Sequence, residues 1–397
     1  MELQMLYTGI LLLILPLLYH AIYILYLHPL SRIPGPKTWI LSRIPYALAL
    51  RSGYFAIRIR ELHRIYGPIV RIAQDEVSFT NKEAWYTIYS PQKGHAFPKS
   101  PVWYRQRPNG AYGIMGAPNS EHSRFRRAFA PAFTERVVKE QEPLICRHVD
   151  ILMRQLRKET SEGGLINILK WFEYSTFDII GDLCFGDSFR CLESDENRIQ
   201  ISILQSAMKA FAQAVVPRVL GLESLWNFIT PLTNNRKRTT YHKSLNDWTR
   251  RRFNEGGSMA KDDLLTYVHR RTENKGLSIC GHFLPPGTHV SFSQLAAYTS
   301  ADNFSSPEQF IPSRWLVNSK MDIHNSDAFH PFSIGPRNCI GKSFGLLEVK
   351  LIIARLLWEF KIEKEPQEWE WDEQRAYLLW EKRPLFVKMV PKTLSES

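Results

Sequence analysis

The run Phe332-Ser-Ile-Gly335-Pro-Arg337-Asn-Cys339-Ile-Gly341 sets one cysteine in a glycine-punctuated loop that opens directly into a long apolar segment, Lys342 to Phe360. In that segment Glu348, Arg355 and Glu359 fall on one helical face and most other positions are apolar. This pattern predicts a helix buried over most of its girth. The helix starts just after Cys339, so its free amide N–H groups and positive end suit an anionic sulfur. Gly335 and Gly341 let the backbone turn and approach a flat ligand where a Cβ would intrude. Arg337 is a fixed cation beside the sulfur, suited to a carboxylate on whatever the sulfur binds. Two readings stand at this level: a buried structural cysteine at a turn, or a thiolate presented to a metal.

The Phe, Gly, Arg, Cys and Gly positions arrive together as F-x-x-G-x-R-x-C-x-G. This spacing resembles the heme-binding loop of the cytochrome P450 family, the heme-thiolate monooxygenases. The resemblance implies heme b as cofactor, with Cys339 as the axial iron ligand whose electron donation favours O–O cleavage. It also implies Arg337 on a heme propionate, Phe332 against the ring near the sulfur, and Gly335 and Gly341 shaping the loop. Upstream, Glu121 to Phe133 is a basic helical stretch in which His122 and Arg126 are four apart and share a face. In the family a similarly placed pair holds the propionates, so His122 and Arg126 join the cofactor-binding candidates. The mostly apolar run Trp171 to Gly186 is similar to a buried core helix of the family. Its Asp178 and Asp182 are expected in capping or surface roles.

The residues from Met5 to Leu27 include no Asp, Glu, Lys or Arg. At about 1.5 Å per residue they span roughly 34 Å, enough for a hydrocarbon core of about 30 Å. The first charge is Glu2 and no small-residue cleavage pattern follows, so the expectation is a retained single-pass anchor. Arg32, Lys37 and Arg43 come next, which puts the main domain on the cytosolic side. His28 to Pro36 reads as a stiff, proline-rich linker. Family members of the endoplasmic reticulum carry a similar anchor and hinge, which implies the same location here. The expected organisation is therefore an anchor over 1–27, a linker over 28–37 and a monooxygenase domain over 38–397.

Composition narrows the classes further. The five cysteines (146, 184, 191, 280, 339) are scattered, with no paired zinc spacing and no dense disulfide framework, as in a reduced domain. Cys280-Gly-His282 offers two potential ligands without further partners. The net charge of +12 is spread rather than blocked and accompanies no nucleic-acid motif, so a solvated basic surface is expected and no nucleic acid is.

Along the chain, periodicity predicts a helix over Tyr54–Tyr66 ending at Gly67, strands at Ile69–Ile72 and Val77–Phe79 around a turn, and a short helix at Ala84–Tyr89. From His95 to Pro118 the sequence is loop-like and aromatic (Phe97, Trp103, Tyr104, Tyr112). In the family this region covers the substrate; on its own terms it could equally pack on itself. Glu193 to Trp248 should hold two or more helices broken near Pro217 and Pro231. The basic run 235–238 reads as a solvated turn, and residues 262–278 as a capped helix and its end.

Ile279 to Val290 reads as strand–turn–strand and follows Ser278 immediately. In the family these segments are far apart, separated by the long helix with an acid–alcohol pair over the heme and the helix bearing Glu-x-x-Arg. No A/G-G-x-D/E-T run occurs in this sequence, and Glu61–Arg64 and Glu121–Arg124 lie in upstream elements. The expected missing block, near 278–279, is on the order of a hundred residues. Phe310-Ile-Pro312-Ser-Arg314-Trp315 resembles the segment whose Arg completes a network with that Glu-x-x-Arg. Without those partners a buried Arg314 must find another carboxylate or turn outward.

The sequence thus predicts a mainly α chain with a smaller β portion, a shortened P450-like fold behind a membrane helix. The implied activity is insertion of one oxygen atom from O2 into a small apolar organic substrate, with electrons from an NADPH-dependent flavoprotein reductase. The N-terminal half and the Gly335-Pro-Arg-Asn-Cys-Ile-Gly-Lys342 run resemble fungal members acting in secondary metabolism. The alternatives are an inactive heme-protein remnant and a membrane-anchored interaction protein that binds no heme.

Overall fold

The computed structural model describes residues 2–90, 97–104, 112–161, 163–229, 277–316, 325–367, 369–370 and 374–392. The expected Pro231 break, the basic turn at 235–238 and the helix at 262–276 lie outside them. Helices predominate among the described residues, with short sheets beside them, and the chain divides into two compact units. The first holds residues 1–120, 214–224 and 269–338, and the second holds 121–213, 225–268 and 339–397.

In the first unit an α-helix runs from Glu2 to Ile22 and continues as a π-helical turn over Tyr23–Leu27. Apolar side chains project outward along it, including Leu11, Leu15, Leu18, Ile22 and Leu27. Its far end is tied down. Ile24 is fully buried, and its carbonyl accepts a 3.0 Å hydrogen bond from Arg71 Nη1. The other Arg71 donors go to Gln74 O, at 3.2 Å from Nε and 2.7 Å from Nη2. The buried guanidinium is therefore satisfied by backbone carbonyls.

The strands β1 (Ile69–Ala73) and β2 (Glu76–Phe79) form the expected antiparallel pair. Preceding them is the helix Phe55–Tyr66, which ends at Gly67 with φ +94°. Its His63 is buried: Nδ1 lies 2.8 Å from Gly67 O and Nε2 2.8 Å from Ser78 Oγ. Burial pushes its pKa down to about 4.

The strand–turn–strand reading also holds. β4 (Leu277–Ile279) pairs antiparallel with β5 (His282–Leu284) around Cys280 and Gly281, both at positive φ. The Cys280 sulfur accepts from Asn81 Nδ2 at 2.9 Å. β6 (His289–Phe292) then pairs parallel with β2 and completes a three-stranded sheet. Phe97 packs against the cluster around Val77, Phe79 and Trp85, and Trp103 against that around Tyr46, Ile59 and Val70. Both aromatics fill core rather than line an open wall.

In the second unit the helices Glu142–Ser161, Ile168–Phe185 and Lys342–Glu359 build one core with a sheet ordered β3 (Ile166–Asn167), β8 (Phe386–Pro391) and β7 (Phe360–Lys364). Asp178 is buried and caps backbone N–H groups of Cys191 at 2.8 Å and Leu192 at 2.9 Å. Asp182 accepts from Arg147 at 2.7 Å and pairs with His148 at 3.0 Å. Both are structural carboxylates, as expected.

The last long helix departs from expectation. Ile352 and Leu356 are buried, with Phe344, Leu347 and Leu351 partly so, whereas Leu346, Val349, Ile353 and Leu357 are exposed. Those four, spaced three or four apart, form a continuous apolar stripe on the opposite side. The charged positions meet partners instead: Arg355 pairs with Asp150 at 2.8 Å and Arg157 with Glu359 at 2.8 Å.

By length and composition one described stretch, Asp195–Val219, could cross a membrane, and Ile14–Leu27 is a shorter apolar helix. Asp195–Val219 is bound into the protein: Ile201, Ala212, Val215 and Val219 are buried, and Lys209 pairs with Glu381 at 2.6 Å.

Candidate functional site

The cysteine loop contributes its residues to both units, so each part is described by itself. In the first unit Ile334 is extended, Gly335–Arg337 make one 3-10 turn, and the Asn338 N–H donates to Gly335 O at 3.1 Å. Gly335 has φ +72°, and a Cβ there would clash with the carbonyl of Tyr89. Its glycine is required by the chain's own backbone, a constraint additional to the close approach of a flat ligand expected from the sequence. Phe332 is partly buried nearby in sequence and has interactions within the protein.

Arg337 Nη2 donates to Ala117 O at 2.7 Å and Asn119 Oδ1 at 2.8 Å. Its Nη1 is buried and makes no hydrogen bond among the described residues. A buried guanidinium nitrogen left unsatisfied is costly, and a carboxylate is the acceptor that answers it best. Burial lowers the Arg337 pKa, with the nearby Tyr104 acting against that shift.

In the second unit Cys339 is a free, exposed thiol two residues before Gly341, the N-cap of Lys342–Glu359. Exposure excludes the reading of a buried structural cysteine. Among the described residues a Cβ on Gly341 would meet only Phe133 Cε1, at 3.9 Å. Those residues leave room there, as a cradle for a flat group would. His122 and Arg126 lie on the helix Asn119–Phe129; His122 is buried, Arg126 is half-buried, and both interact within the protein. The residues present therefore fit an iron porphyrin: a presented sulfur, space at Gly341, and a guanidinium nitrogen with an acceptor to find.

Arg314 shows what the sequence reasoning missed. It is buried, so it does not turn outward, and among the described residues it finds no carboxylate. Its Nη1 donates to Ser305 O at 2.8 Å and its Nη2 to Ser306 O at 3.1 Å. Backbone carbonyls supply its acceptors, an option that counting charged partners overlooks. The two upstream Glu-x-x-Arg runs are local pairs: Glu121–Arg124 at 2.8 Å, and Glu61–Arg64 at 3.2 Å with Glu308 also on Arg64.

The sequence matches the Cytochrome P450 family over residues 34–266 and 263–389. The chain belongs to the cytochrome P450 family. By family it is a heme-dependent monooxygenase. It is similar to an averantin hydroxylase of Dothistroma septosporum, 30% identical over 487 positions that cover 98% of this chain and 92% of that protein. It is also 30% identical to the cytochrome P450 monooxygenase atr2 of Stereocaulon alpinum, over 94% of this chain and 92% of the relative. With the monooxygenase stcF of Emericella nidulans the identity is 32%, over 95% and 98% of the two chains. An alignment of 487 positions exceeds the 397 residues of this P450 by 90, so at least that many positions of the relative face no residue here.

Proposed function

We propose that this P450 is a single-pass membrane protein that holds heme through Cys339. It would insert one oxygen atom from O2 into a small apolar organic molecule of a fungal secondary-metabolite pathway. The observation that carries the reading is the pairing within one loop of an exposed thiol at Cys339 with a buried, unanswered Arg337 nitrogen two residues earlier. When bound, heme supplies the iron chemistry that splits O2. Cys339 contributes the anionic sulfur, Arg337 charge for a propionate, and the His122–Arg126 face further polar anchoring. Electrons come from an NADPH-dependent flavoprotein reductase. The averantin hydroxylase name among the relatives supports a hydroxylation of an organic metabolite.

The outward apolar helix Glu2–Ile22 supports the anchor, with the main domain on the cytosolic face of the endoplasmic reticulum. A second reading, an inactive remnant, is favoured by the surplus alignment positions and the bare stripe on Lys342–Glu359.

The deciding experiment is the reduced carbon monoxide spectrum. Thiolate ligation gives a strongly red-shifted Soret band, and Cys339→Ala should abolish it. The expectation for the 397-residue chain is weak heme retention, with band and turnover regained once the absent block is restored. Absence of the band after restoration would reject Cys339 as ligand and leave the interaction-protein reading.

A further inference from the structure

Where the first helix meets the first unit, the chain leaves one buried carbonyl without its own donor. The π-helical turn Tyr23–Leu27 ends with the His28 N–H on Tyr23 O at 2.8 Å. By the same spacing Ile24 O would be served by residue 29, a proline with no N–H. Ile24 is fully buried, so its carbonyl is out of reach of bulk water. Arg71, itself 1% exposed, supplies the donor: its Nη1 reaches Ile24 O at 3.0 Å. A cation placed there also faces the negative end of the helix. Burial lowers the Arg71 pKa to about 10, so the group stays charged at neutral pH.

The same residue grips the proline-rich stretch. The Arg71 N–H donates to Pro34 O at 2.8 Å, and a Cβ on Gly35 would clash with Arg71 O. Between Ile24 and Pro34, Leu30 and Ile33 are buried. This stretch is packed into the first unit and is no loose tether. The helix Lys37–Leu41 packs on the π-helical turn, and the helix Ile44–Ser52 packs on Lys37–Leu41. Their outward residues Leu41, Ile44 and Leu48 are 41%, 58% and 59% exposed. Exposed Arg32, Lys37 and Arg51 lie on the same stretch of chain. Apolar side chains with cations beside them, on elements packed around the anchor's exit, suit a surface of anionic headgroups.

We propose that Arg71 is an orienting clamp: it joins the anchor to the first unit without a hinge, so that a phospholipid bilayer meets one fixed face, that of Leu41, Ile44 and Leu48. This rests on the anchor reading above. A hinge would let the domain turn freely beneath its helix, whereas the clamp presents one side of it to lipid.

The test uses the full chain in nanodiscs of phosphatidylcholine and phosphatidylserine, doped with phospholipids that carry a diazirine in the headgroup or the acyl chain. After photolysis, labelled residues are mapped by mass spectrometry. Wild type should be labelled within 41–48 as well as within 5–22. Label in 5–22 with none in 41–48 would overturn the proposal. Any pattern without label in 5–22 would reject the anchor reading itself. Hydrogen exchange in the same discs then compares wild type with Arg71→Met and Arg71→Lys, with far-ultraviolet circular dichroism as the folding check. Losing one charged hydrogen bond should raise local opening of residues 23–36 about tenfold in Arg71→Met. Label in 41–48 should fall with it, while exchange in the helix Glu142–Ser161 stays unchanged. Arg71→Lys, which keeps one charged donor, should fall between and carries the test if Arg71→Met does not fold. Unchanged exchange at 23–36, or undiminished label in 41–48, would overturn the clamp. Equal acceleration in 23–36 and in Glu142–Ser161 would also overturn it, by showing a general loss of stability.

Discussion

Nη1 of Arg314 donates to the carbonyl of Ser305 at 2.8 Å, and the buried guanidinium is held by main-chain oxygens. Arg314 thereby also fixes Ser306, a non-glycine residue at φ +45°. Arg314→Met keeps the stem's packing but takes the guanidinium donor from the half-buried Ser305 carbonyl, while Ser306 O keeps the Gln309 N–H. The expected cost is about 1 kcal/mol in chemical denaturation. Arg314→Lys, reaching one carbonyl, should cost less. A neutral Arg314→Met would mean that water reaches those oxygens.

His63 gives a pH dependence with a definite sign. Its Nδ1–H donates to Gly67 O and its Nε2 accepts from the Ser78 hydroxyl, so the folded state holds the ring neutral. The folded pKa is lowered to about 4 from 6.5. Its contribution is present above pH 6.5 and is lost as pH falls through 4, because the unfolded chain binds the proton first. The whole effect is on the order of 3 kcal/mol. Stability measured from pH 7 to 4 should fall less steeply in His63→Gln than in wild type; parallel curves would refute the assignment.

The anchor reading predicts sedimentation with membranes and resistance to carbonate extraction. Two deletions separate anchoring from folding. Removing residues 1–22 should release the protein while leaving Ile24 O as acceptor for Arg71. Removing 1–27 deletes that acceptor and should cost about 1–2 kcal/mol more. Carbonate release of the intact chain would count against the anchor.

Much of this structure could be read from local pattern. The Phe55–Tyr66 helix ending at Gly67, the β1–β2 pair and the β4–β5 hairpin follow from periodicity and turn residues within a few positions. The cysteine loop was legible for the same reason, since its residues lie within one short run. What escaped depended on distant parts of the chain. Gly335 answers to Tyr89 and Arg314 to carbonyls, both through the fold. The girth of Lys342–Glu359 was misread because apolarity reports what a helix is built to bury, whereas exposure reports what is there to cover it.

That difference makes a prediction about the coding sequence. Leu346, Val349, Ile353 and Leu357 line one face, with Ile353 50% and Leu357 60% exposed. A stripe of this kind on a monomer invites association. The two family matches meet at 263–266, and at least 90 positions of one relative face no residue of this chain. We expect genomic DNA between the codons for residues 263 and 279 to encode a block of about a hundred residues, judged from the helices and strands it must supply. It should include the acid–alcohol helix and a Glu-x-x-Arg helix. The 397-residue protein should self-associate in mild detergent, and Ile353→Gln with Leu357→Gln should reduce this at a stability cost near 0.5 kcal/mol or less each, since both side chains are already in solvent. In the restored protein the same substitutions should instead cost about 2 kcal/mol or more each, because the face would then be buried. Equal small costs in both proteins would show that the block does not cover this helix, and a genome lacking the block would make the shortened P450 a true truncation.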